Sequence, residues 1–243
     1  MEVFGLLPCP TDTLAVVEAH MSSHDRRHDG FVARLHVGAP TGYSRDLSKA
    51  GWVIAGALVV LVCCSLVVRN GQLTETEESV FRAINGLPDF LRAPMWVLQL
   101  FGSLMFVAVV AVVALAMRRP RLGLALAASI PMKLALEWWV VKALVERERP
   151  VFTVADAVIR EVNSSPLGFP SGHAVFAFVL AGLLAPYLGR RGAIAVCGLA
   201  CLNGLARVYL GAHNPLDVVA GAALGMAIAA VLNLVVGVPE TVQ

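Results

Sequence analysis

The sequence predicts an all-α membrane protein in which six transmembrane helices form a bundle. Apolar residues make up 58% of the 243-residue chain and charged residues only 15%, whereas soluble domains are about half apolar and a quarter charged. The mean hydropathy is +0.74. Apolar runs close to the roughly 20 residues that a membrane helix needs recur along the chain. This composition excludes a soluble globular protein, and a net charge of +2 gives no sign of a nucleic-acid partner.

The six predicted spans follow a polar N-terminal segment. They are residues 50–68, 93–117, 122–145, a run within 172–189, 192–206 extended by 208–210, and 218–239. The third span carries Lys133, Glu137 and Lys142, and an unpaired charge in a bilayer is costly. We therefore expect Lys133 and Glu137 to form a structural ion pair, in preference to a role in head-group or proton access. The predicted domains are a mobile cytoplasmic tail at 1–49, the membrane domain at 50–239 and a short cytoplasmic tail at 240–243.

Arginine clusters indicate how the bundle is oriented. Arg118, Arg119 and Arg121 fill the link after the second predicted span, and Arg190 and Arg191 fill the link after the fourth. Basic residues are enriched in cytoplasmic loops, so these links and both termini are predicted to be cytoplasmic. The links at 69–92, 147–170 and 211–215 then face outward.

The first outward link is expected to contain a short interfacial helix. Thr74 and Glu77 have the spacing of a capping box, and Asn85 followed by Gly86 is typical of a helix end. We assign no chemistry to this link.

Two further patterns concern packing. Gly221 and Gly225 form a G-x-x-x-G pattern that fits either packing within the bundle or dimerisation, so the oligomeric state stays open. Cys197 and Cys201 are one helical turn apart, but their run holds no histidine or carboxylate. We expect them, like Cys63 and Cys64 in the first span, to act as small buried hydrophobic residues, and we predict no metal site.

Three blocks of polar residues lie at the outward ends of the predicted spans. The first is Lys142, six residues, then Arg149-Pro150; the second is Pro170-Ser171-Gly172-His173; the third is Arg207, five residues, His213, three residues, Asp217. His173 and His213 are the only histidines outside the N-terminal tail. Taken singly, Lys142 and Arg149 fit cations that reach the lipid interface. The joint occurrence of the three blocks on one side points instead to a shared site.

The chemistry that these groups suit is attack on a phosphate ester. Lys142, Arg149 and Arg207 supply three fixed cations, and an arginine fork binds two phosphate oxygens at once. Ser171 is placed as an N-cap, with Gly172 after it, where the free backbone N–H groups of a helix start favour an anion. These five residues are the predicted phosphate-binding set.

The two histidines fit complementary catalytic roles. His173 lies in the first turn beside the predicted phosphate site, where it can donate a proton to the departing alkoxide. His213 is followed four residues later by Asp217, and a carboxylate that accepts the proton of one ring nitrogen makes the other nucleophilic. Considered alone, Asp217 is also ordinary favourable charge in a first helical turn.

These blocks resemble the three signatures of the type 2 phosphatidate phosphatases, also called lipid phosphate phosphatases, in residue type, order and separation. The resemblance covers 142–217 directly and the six-helix core by architecture. It implies a metal-independent phosphatase without a cofactor, in which His213 is the nucleophile, Asp217 its partner and His173 the acid. One departure is visible, because the family's third signature usually begins Ser-Arg and this chain has Ala206-Arg207. We expect the missing hydroxyl to weaken one hydrogen bond, worth about 1 kcal/mol.

The sequence therefore predicts an integral membrane phosphatase that acts on a lipid phosphate monoester or diphosphate at the outer leaflet. Polyprenyl diphosphate, phosphatidate and phosphatidylglycerol phosphate all remain compatible substrates. A phosphotransferase that passes the group from the histidine to an acceptor other than water would use the same residues. A non-catalytic transport or scaffold protein is the alternative from a different class, and it leaves both membrane histidines unexplained.

Overall fold

The computed structural model describes residues 42–161 and 165–240, most of them in helices. The helices are α1 (Leu47–Val68), α2 (Glu75–Asn85), α3 (Arg92–Leu100), α4 (Leu104–Ala116), α5 (Pro120–Leu144), α6 (Pro150–Thr153), α7 (Gly172–Tyr209) and α8 (Pro215–Val236). A 3₁₀ turn at Asp89–Leu91 leads into α3, and a π-helical segment at Leu136–Val141 interrupts α5. Two short strands, β1 (Tyr43–Ser44) and β2 (Val238–Pro239), pair antiparallel.

Four of these helices, α1, α5, α7 and α8, are long and apolar enough to cross a membrane. The segments Asp89–Leu100 and Leu104–Ala116 bend by 48° at the break between them and together make a fifth candidate span. The chain is therefore a helical membrane protein. The count differs from the predicted six because the fourth and fifth predicted spans belong to the single 38-residue helix α7.

Helix α7 is broken at Gly189, where the backbone adopts φ 64° and ψ 177°. A positive φ is a conformation that glycine reaches without the steric cost of a Cβ. Ala177 and Ala181, before the break, share one buried cluster with Val196 and Ala200, after it. In a straight helix at 1.5 Å per residue, Ala177 and Ala200 would be about 35 Å apart. The two arms of α7, residues 172–188 and 190–209, therefore fold back on each other.

Helix α8 packs closely against the first arm of α7 through small residues. A Cβ added at Gly221 would lie 2.6 Å from the Ser171 carbonyl oxygen, and one at Gly225 would collide with the carbonyl oxygen of Val175. Of the two interpretations of the G-x-x-x-G pattern, the structure supports packing within the bundle. This contact holds the start of α7 against the start of α8, where the second and third polar blocks lie.

The opposite end of the bundle holds β1, β2 and two of the arginine clusters. Arg121 lies 4.0 Å over the Tyr43 ring and donates a hydrogen bond to the Val236 carbonyl at 3.0 Å. Arg119 lies 5.5 Å over the ring of Tyr187, just before the break in α7. The predicted tail at 1–49 falls mostly outside the described residues, but within it β1 is paired and α1 already begins at Leu47. Of the second predicted tail, only residue 240 is described.

The sequence placed the cysteines of α7 in the interior, and this was wrong. Cys197 and Cys201 are exposed on the protein surface, as is Cys63 in α1, whereas Cys64 is buried. An apolar side chain gains little from leaving a lipid environment, so hydropathy does not distinguish the lipid-facing from the buried side of such a helix.

Candidate active site

The three polar blocks meet at one end of the bundle. Lys142 lies in the last turn of α5, Ser171 and His173 lie at the start of α7, and His213 lies in the tight turn that joins α7 to α8. The link between α5 and α7 brings Arg149 to the same place. Residues separated by about 70 positions in the chain are thus assembled around His213.

The imidazole of His213 is enclosed, with only 2% of the residue exposed. Its Nε2 lies 3.2 Å from Nη1 of Arg149, and its Nδ1 lies 3.6 Å from Oδ2 of Asp217. Arginine is only a donor, so the contact assigns the lone pair to Nε2 and the proton to Nδ1. Burial, together with the charges of Arg207 and Arg149, lowers the pKa of His213 well below its ordinary value. A neutral imidazole with an unprotonated Nε2 is the form that a phosphate-attacking histidine needs.

Asp217 is fully buried and accepts two hydrogen bonds besides its contact with Nδ1 of His213. Its Oδ2 accepts a hydrogen bond from the backbone N–H of Asn214 at 2.9 Å, and its Oδ1 accepts one from Nη1 of Arg147 at 2.9 Å. The Gly168 backbone presses against the same carboxylate, because a Cβ there would lie 3.0 Å from Oδ2. These contacts favour the charged form of the carboxylate and fix its orientation.

Arg147 is the main feature that sequence reasoning missed. Its guanidinium is fully buried and bridges Asp217 to Glu77 of α2, with an Nη2 to Oε2 distance of 2.6 Å and an Nη1 to Oε1 distance of 3.0 Å. Burial alone would lower the pKa of Arg147, but the hydrogen bonds and charges of the two carboxylates raise it overall. Thr74 does accept the N–H of Glu77 at 3.2 Å, as the capping box predicted, but the Glu77 carboxylate binds Arg147.

A sequence signal for Arg147 does exist. Residues 146–149 read Glu-Arg-Glu-Arg before a proline, and the residue that precedes a proline is biased to extended backbone. In an extended segment alternate side chains face the same way. The structure shows this alternation, since Arg147 is buried and Arg149 half-buried whereas Glu146 and Glu148 are exposed. The segment pairs with residues 166–168, where Gly168 donates to the Arg147 carbonyl at 2.7 Å.

Arg149 is held so that one edge of its guanidinium reaches His213. Its Nε donates to the Ser165 carbonyl and its Nη1 to the Ala212 carbonyl, both at 2.7 Å. Burial and the nearby charge of Arg207 lower the pKa of Arg149, although an arginine remains charged in proteins.

Arg207 contacts two residues that the sequence analysis did not single out. Its Nη1 donates to Oε1 of Gln99 in α3 and lies 2.7 Å from Oε2 of Glu161. Its Nε, like the hydroxyl oxygen of Ser171, is buried without a hydrogen-bond partner within the described part of the chain. Buried polar atoms normally have partners, so a phosphate oxygen bound at either group would supply the missing one.

Lys142 belongs to a chain of three buried charges. Glu137 contacts Nζ of Lys133 and, at 3.4 Å, Nζ of Lys142, which confirms the predicted ion pair and adds a second one. Residues 133 and 137 are four apart, as in an α-helical pair, whereas 137 and 142 are five apart. The π-helical segment Leu136–Val141 explains how Glu137 can contact a residue five positions later, because the hydrogen bonds of a π-helix join residues i and i+5.

The first turn of α7 lies on top of these charges. A Cβ added at Gly172 would lie 2.8 Å from Nζ of Lys133 and 3.0 Å from Oε2 of Glu137, so the glycine makes room for the ion pair beneath the helix start. His173 is half-buried, and no described residue forms a hydrogen bond with its imidazole. The charges of Arg149 in the first block and of Arg207 in the third act on His173, which places it near residues of the other two blocks.

The chain matches one protein-family model and the folds of two solved structures. The sequence profile of the PAP2 superfamily matches residues 96–238, more than half of the chain. The chain belongs to the PAP2 superfamily. The matched region contains all eight predicted site residues, whereas Glu77 lies before it.

Two solved structures share this PAP2 fold. The first transmembrane PAP2-type phosphatidylglycerolphosphate phosphatase from Bacillus subtilis is 24% identical, with a TM-score of 0.62 over 75% of this chain and 94% of that chain. LpxE from Aquifex aeolicus is also 24% identical, with a TM-score of 0.52 over 63% of this chain and 92% of that chain. No curated protein matches the sequence significantly.

Ala206, where the superfamily signature usually has serine, is fully buried. It shares an apolar cluster with Met95, Tyr209 and Leu210. The methyl group therefore contributes to packing between α3 and the second arm of α7, one residue before Arg207.

Proposed function

We propose that this protein is a metal-independent lipid phosphatase that works through a phosphohistidine at His213. The observation that carries the proposal is the environment of His213, whose Nε2 faces the guanidinium of Arg149 while its Nδ1 faces Asp217. Membership of the PAP2 superfamily supports a phosphatase, and the named activity of the Bacillus subtilis neighbour supports a lipid substrate.

The proposed reaction has two steps. Nε2 of His213 attacks phosphorus, the ester P–O bond breaks, and His173 gives its proton to the leaving alkoxide. His173 then takes a proton from water, the hydroxide attacks phosphorus, and the P–N bond breaks to release inorganic phosphate and the free imidazole. Asp217 stabilises the imidazolium character that develops at His213. Lys142, Arg149 and Arg207, with Ser171 and the helix start at Gly172, hold the phosphate oxygens.

We also propose that the bundle has six spans and that the site faces the outer leaflet. The two arms of α7 would be separate crossings, and the bent pair of α3 and α4 would be a third. Arg118, Arg119 and Arg121 lie at the end opposite the site, as do Arg190 and Arg191, and basic ends are retained in the cytoplasm. A site at the outer interface would meet lipid head groups while the lipid tails stay in the bilayer. Monoester and diphosphate lipids both fit this placement.

The test is phosphate release by detergent-purified protein from polyprenyl diphosphate, phosphatidate and phosphatidylglycerol phosphate, with EDTA present. We expect release to survive the chelator and to fall below detection in His213→Ala, whereas His28→Ala, which changes a histidine outside the three blocks, should retain full activity. A rapid quench with ³²P-labelled lipid should trap an acid-labile, alkali-stable phosphoenzyme in the wild type. Consumption of the lipid phosphate without release of inorganic phosphate would indicate phosphotransfer. No turnover by folded protein would contradict both the phosphatase and the phosphotransferase function.

The same assay separates the role of His173 from that of His213. A general acid contributes about 10²- to 10⁴-fold when the leaving group is a poor one. His173→Asn should therefore lower kcat/KM, which reports the steps up to departure of the leaving group, strongly for an alkyl phosphate and much less for p-nitrophenyl phosphate, because nitrophenolate departs without a proton. Equal losses of kcat/KM on both substrates would contradict the assignment of His173 as the acid.

A further inference from the structure

A buried charge network joins the candidate catalytic carboxylate to a helix that carries none of the three polar blocks. Glu77 of α2, Arg147 of the α5 to α7 link and Asp217 of α8 are all at most 5% exposed. Nη1 of Arg147 lies 3.0 Å from Oε1 of Glu77 and 2.9 Å from Oδ1 of Asp217, so one nitrogen serves both carboxylates. Nη2 closes a second contact with Glu77 at 2.6 Å.

Glu77 is also fixed independently of Arg147. Its Oε1 accepts the backbone N–H of Leu216 at 3.0 Å, in the first turn of α8 next to Asp217. Its own backbone N–H is held by the Thr74 hydroxyl. The carboxylate of Glu77 is therefore anchored to the same helix start that carries Asp217, and the geometry of the network does not depend on one flexible side chain.

The sum of the charges explains why two carboxylates are needed. Asp217 and Arg147 alone would form a neutral pair, and a neutral pair stabilises a neighbouring imidazolium poorly. Glu77 adds a second negative charge, so the three groups together carry one net negative charge beside His213. Arg147 keeps Asp217 ionised and directed at Nδ1, while Glu77 preserves the negative charge that the attack on phosphorus requires.

We infer that Arg147 and Glu77 are positioning residues that set the orientation and net charge of Asp217 for the proposed phosphohistidine chemistry. The inference rests on the proposed function. The side-chain hydrogen bonds of Arg147 run to Glu77 and Asp217, and those of Glu77 run to Arg147 and the Leu216 N–H, so within the described residues neither side chain is hydrogen-bonded to the candidate phosphate-binding residues. The network also gives α2 a part in the reaction.

The test measures kcat and KM for phosphate release, normalised to the monodisperse folded fraction. Arg147→Met leaves two buried carboxylates without their cation, one of which then takes up a proton, so kcat should fall by about 100-fold with little change in KM. Glu77→Gln leaves a neutral pair beside His213 and should lower kcat by about tenfold.

The double variant Glu77→Gln/Arg147→Met separates positioning from mere stabilisation. In Arg147→Met the single negative charge is divided between Glu77 and Asp217, whereas in the double variant only Asp217, still held by the Asn214 N–H, can carry it. Glu77→Gln should therefore raise kcat by about threefold or more when it is added to Arg147→Met, although alone it lowers kcat. Independent structural effects would instead make the double variant slower than either single one.

The matched control is Arg160→Met. Arg160 is another arginine of the same link, with a side chain that is 6% exposed. It is bound to Asp89 and to the carbonyls of Asn85 and Tyr209, and its side chain forms no hydrogen bond with the three described groups of the network. It should lower the unfolding temperature and leave kcat per folded molecule unchanged.

Several outcomes would overturn the inference. A kcat within twofold of wild type in Arg147→Met would do so, as would a double variant slower than Arg147→Met. If Arg147→Met fails to fold, an unchanged kcat in Glu77→Gln overturns it. A wild-type protein that releases no phosphate removes the proposed function and this inference with it, whereas an active wild type with unaffected variants removes only the inference.

Discussion

At the scale of single residues, the surroundings of His213 determine the pH range in which it is a nucleophile. Burial and the cations Arg207 and Arg149 lower its pKa below the ordinary value. Attack needs the neutral form, which is populated above the pKa, so a lowered pKa extends the active range to more acidic pH. The acid-side inflection of kcat/KM, which reports the free enzyme, should therefore lie below about 6.5.

The substrate's own ionisation must be separated from that of the enzyme in this measurement. A phosphate monoester also loses a proton near pH 6. Profiles of kcat/KM against pH, recorded with two phosphate substrates of different pKa, should contain one inflection that moves with the substrate and one that stays constant. A constant inflection at or above 6.5 would contradict the lowered pKa of His213.

Sequence reasoning at this scale found the residues that carry recognisable spacing and missed those that depend on distant contacts. The three blocks identified His173, His213 and Asp217, which the structure brings to one end of the bundle, although their catalytic roles remain predictions. Glu77 and Arg147 are 70 residues apart. Glu77 has an ordinary capping position, so nothing in the local sequence distinguished it from any other carboxylate in the first turn of a helix.

At the scale of elements, hydropathy predicted where helices lie but not where they break. The bend between α3 and α4 falls inside a single predicted span, and the π-helical segment of α5 falls inside another. The first region contains Gly102 and Ser103, and Asn203 of α7 donates a hydrogen bond to the Gln99 carbonyl beside the bend. In the second region, the π-helical segment brings Glu137 to Lys142 of the same helix, five residues away. Neither a contact with another helix nor a shift of the helical repeat can be read from hydropathy.

The packing of α8 on the first arm of α7 should be sensitive to one added methyl group. Gly225→Ala places a Cβ against the backbone carbonyl of Val175, which cannot rotate away, so the helices must separate. We expect a loss of about 1–3 kcal/mol in the free energy of unfolding. Since Val175 follows directly on the helix start that carries Ser171 and His173, kcat should fall as well.

Gly198→Ala is the matched control for this change. Gly198 is an exposed helical glycine with no atom within 4 Å of an added Cβ. Alanine there should stabilise the helix by up to about 1 kcal/mol and leave activity unchanged. The comparison is made by thermal unfolding in detergent, and equal unfolding temperatures of the two variants would contradict the close contact of α7 and α8.

At the scale of the whole molecule, the placement of charge separates the two ends of the bundle. The end with the candidate site holds the three predicted phosphate-binding cations. At the other end, Arg119 and Arg121 lie over the rings of Tyr187 and Tyr43, beside the paired strands β1 and β2. The arginine clusters in alternate links allowed the sequence to predict which links share an end. The sequence did not predict the pairing of β1 with β2. Two-residue strands carry little pattern of their own, and their pairing depends on where the start of α1 and the end of α8 lie in the folded bundle.

The proposed orientation predicts which link reacts with a reagent that does not cross membranes. In a variant whose five cysteines are replaced, a single cysteine is introduced either at exposed Ala155, in the link beside the site, or at exposed Arg191, near the break in α7. With an impermeant maleimide on intact cells, we expect Ala155→Cys to be labelled and Arg191→Cys only after the membrane is opened, because basic links stay in the cytoplasm. Each variant must retain phosphate release. The reverse labelling pattern would place the site on the cytoplasmic face. Labelling of both cysteines in intact cells would contradict a membrane span between them, because the arm of residues 172–188 then could not cross the bilayer.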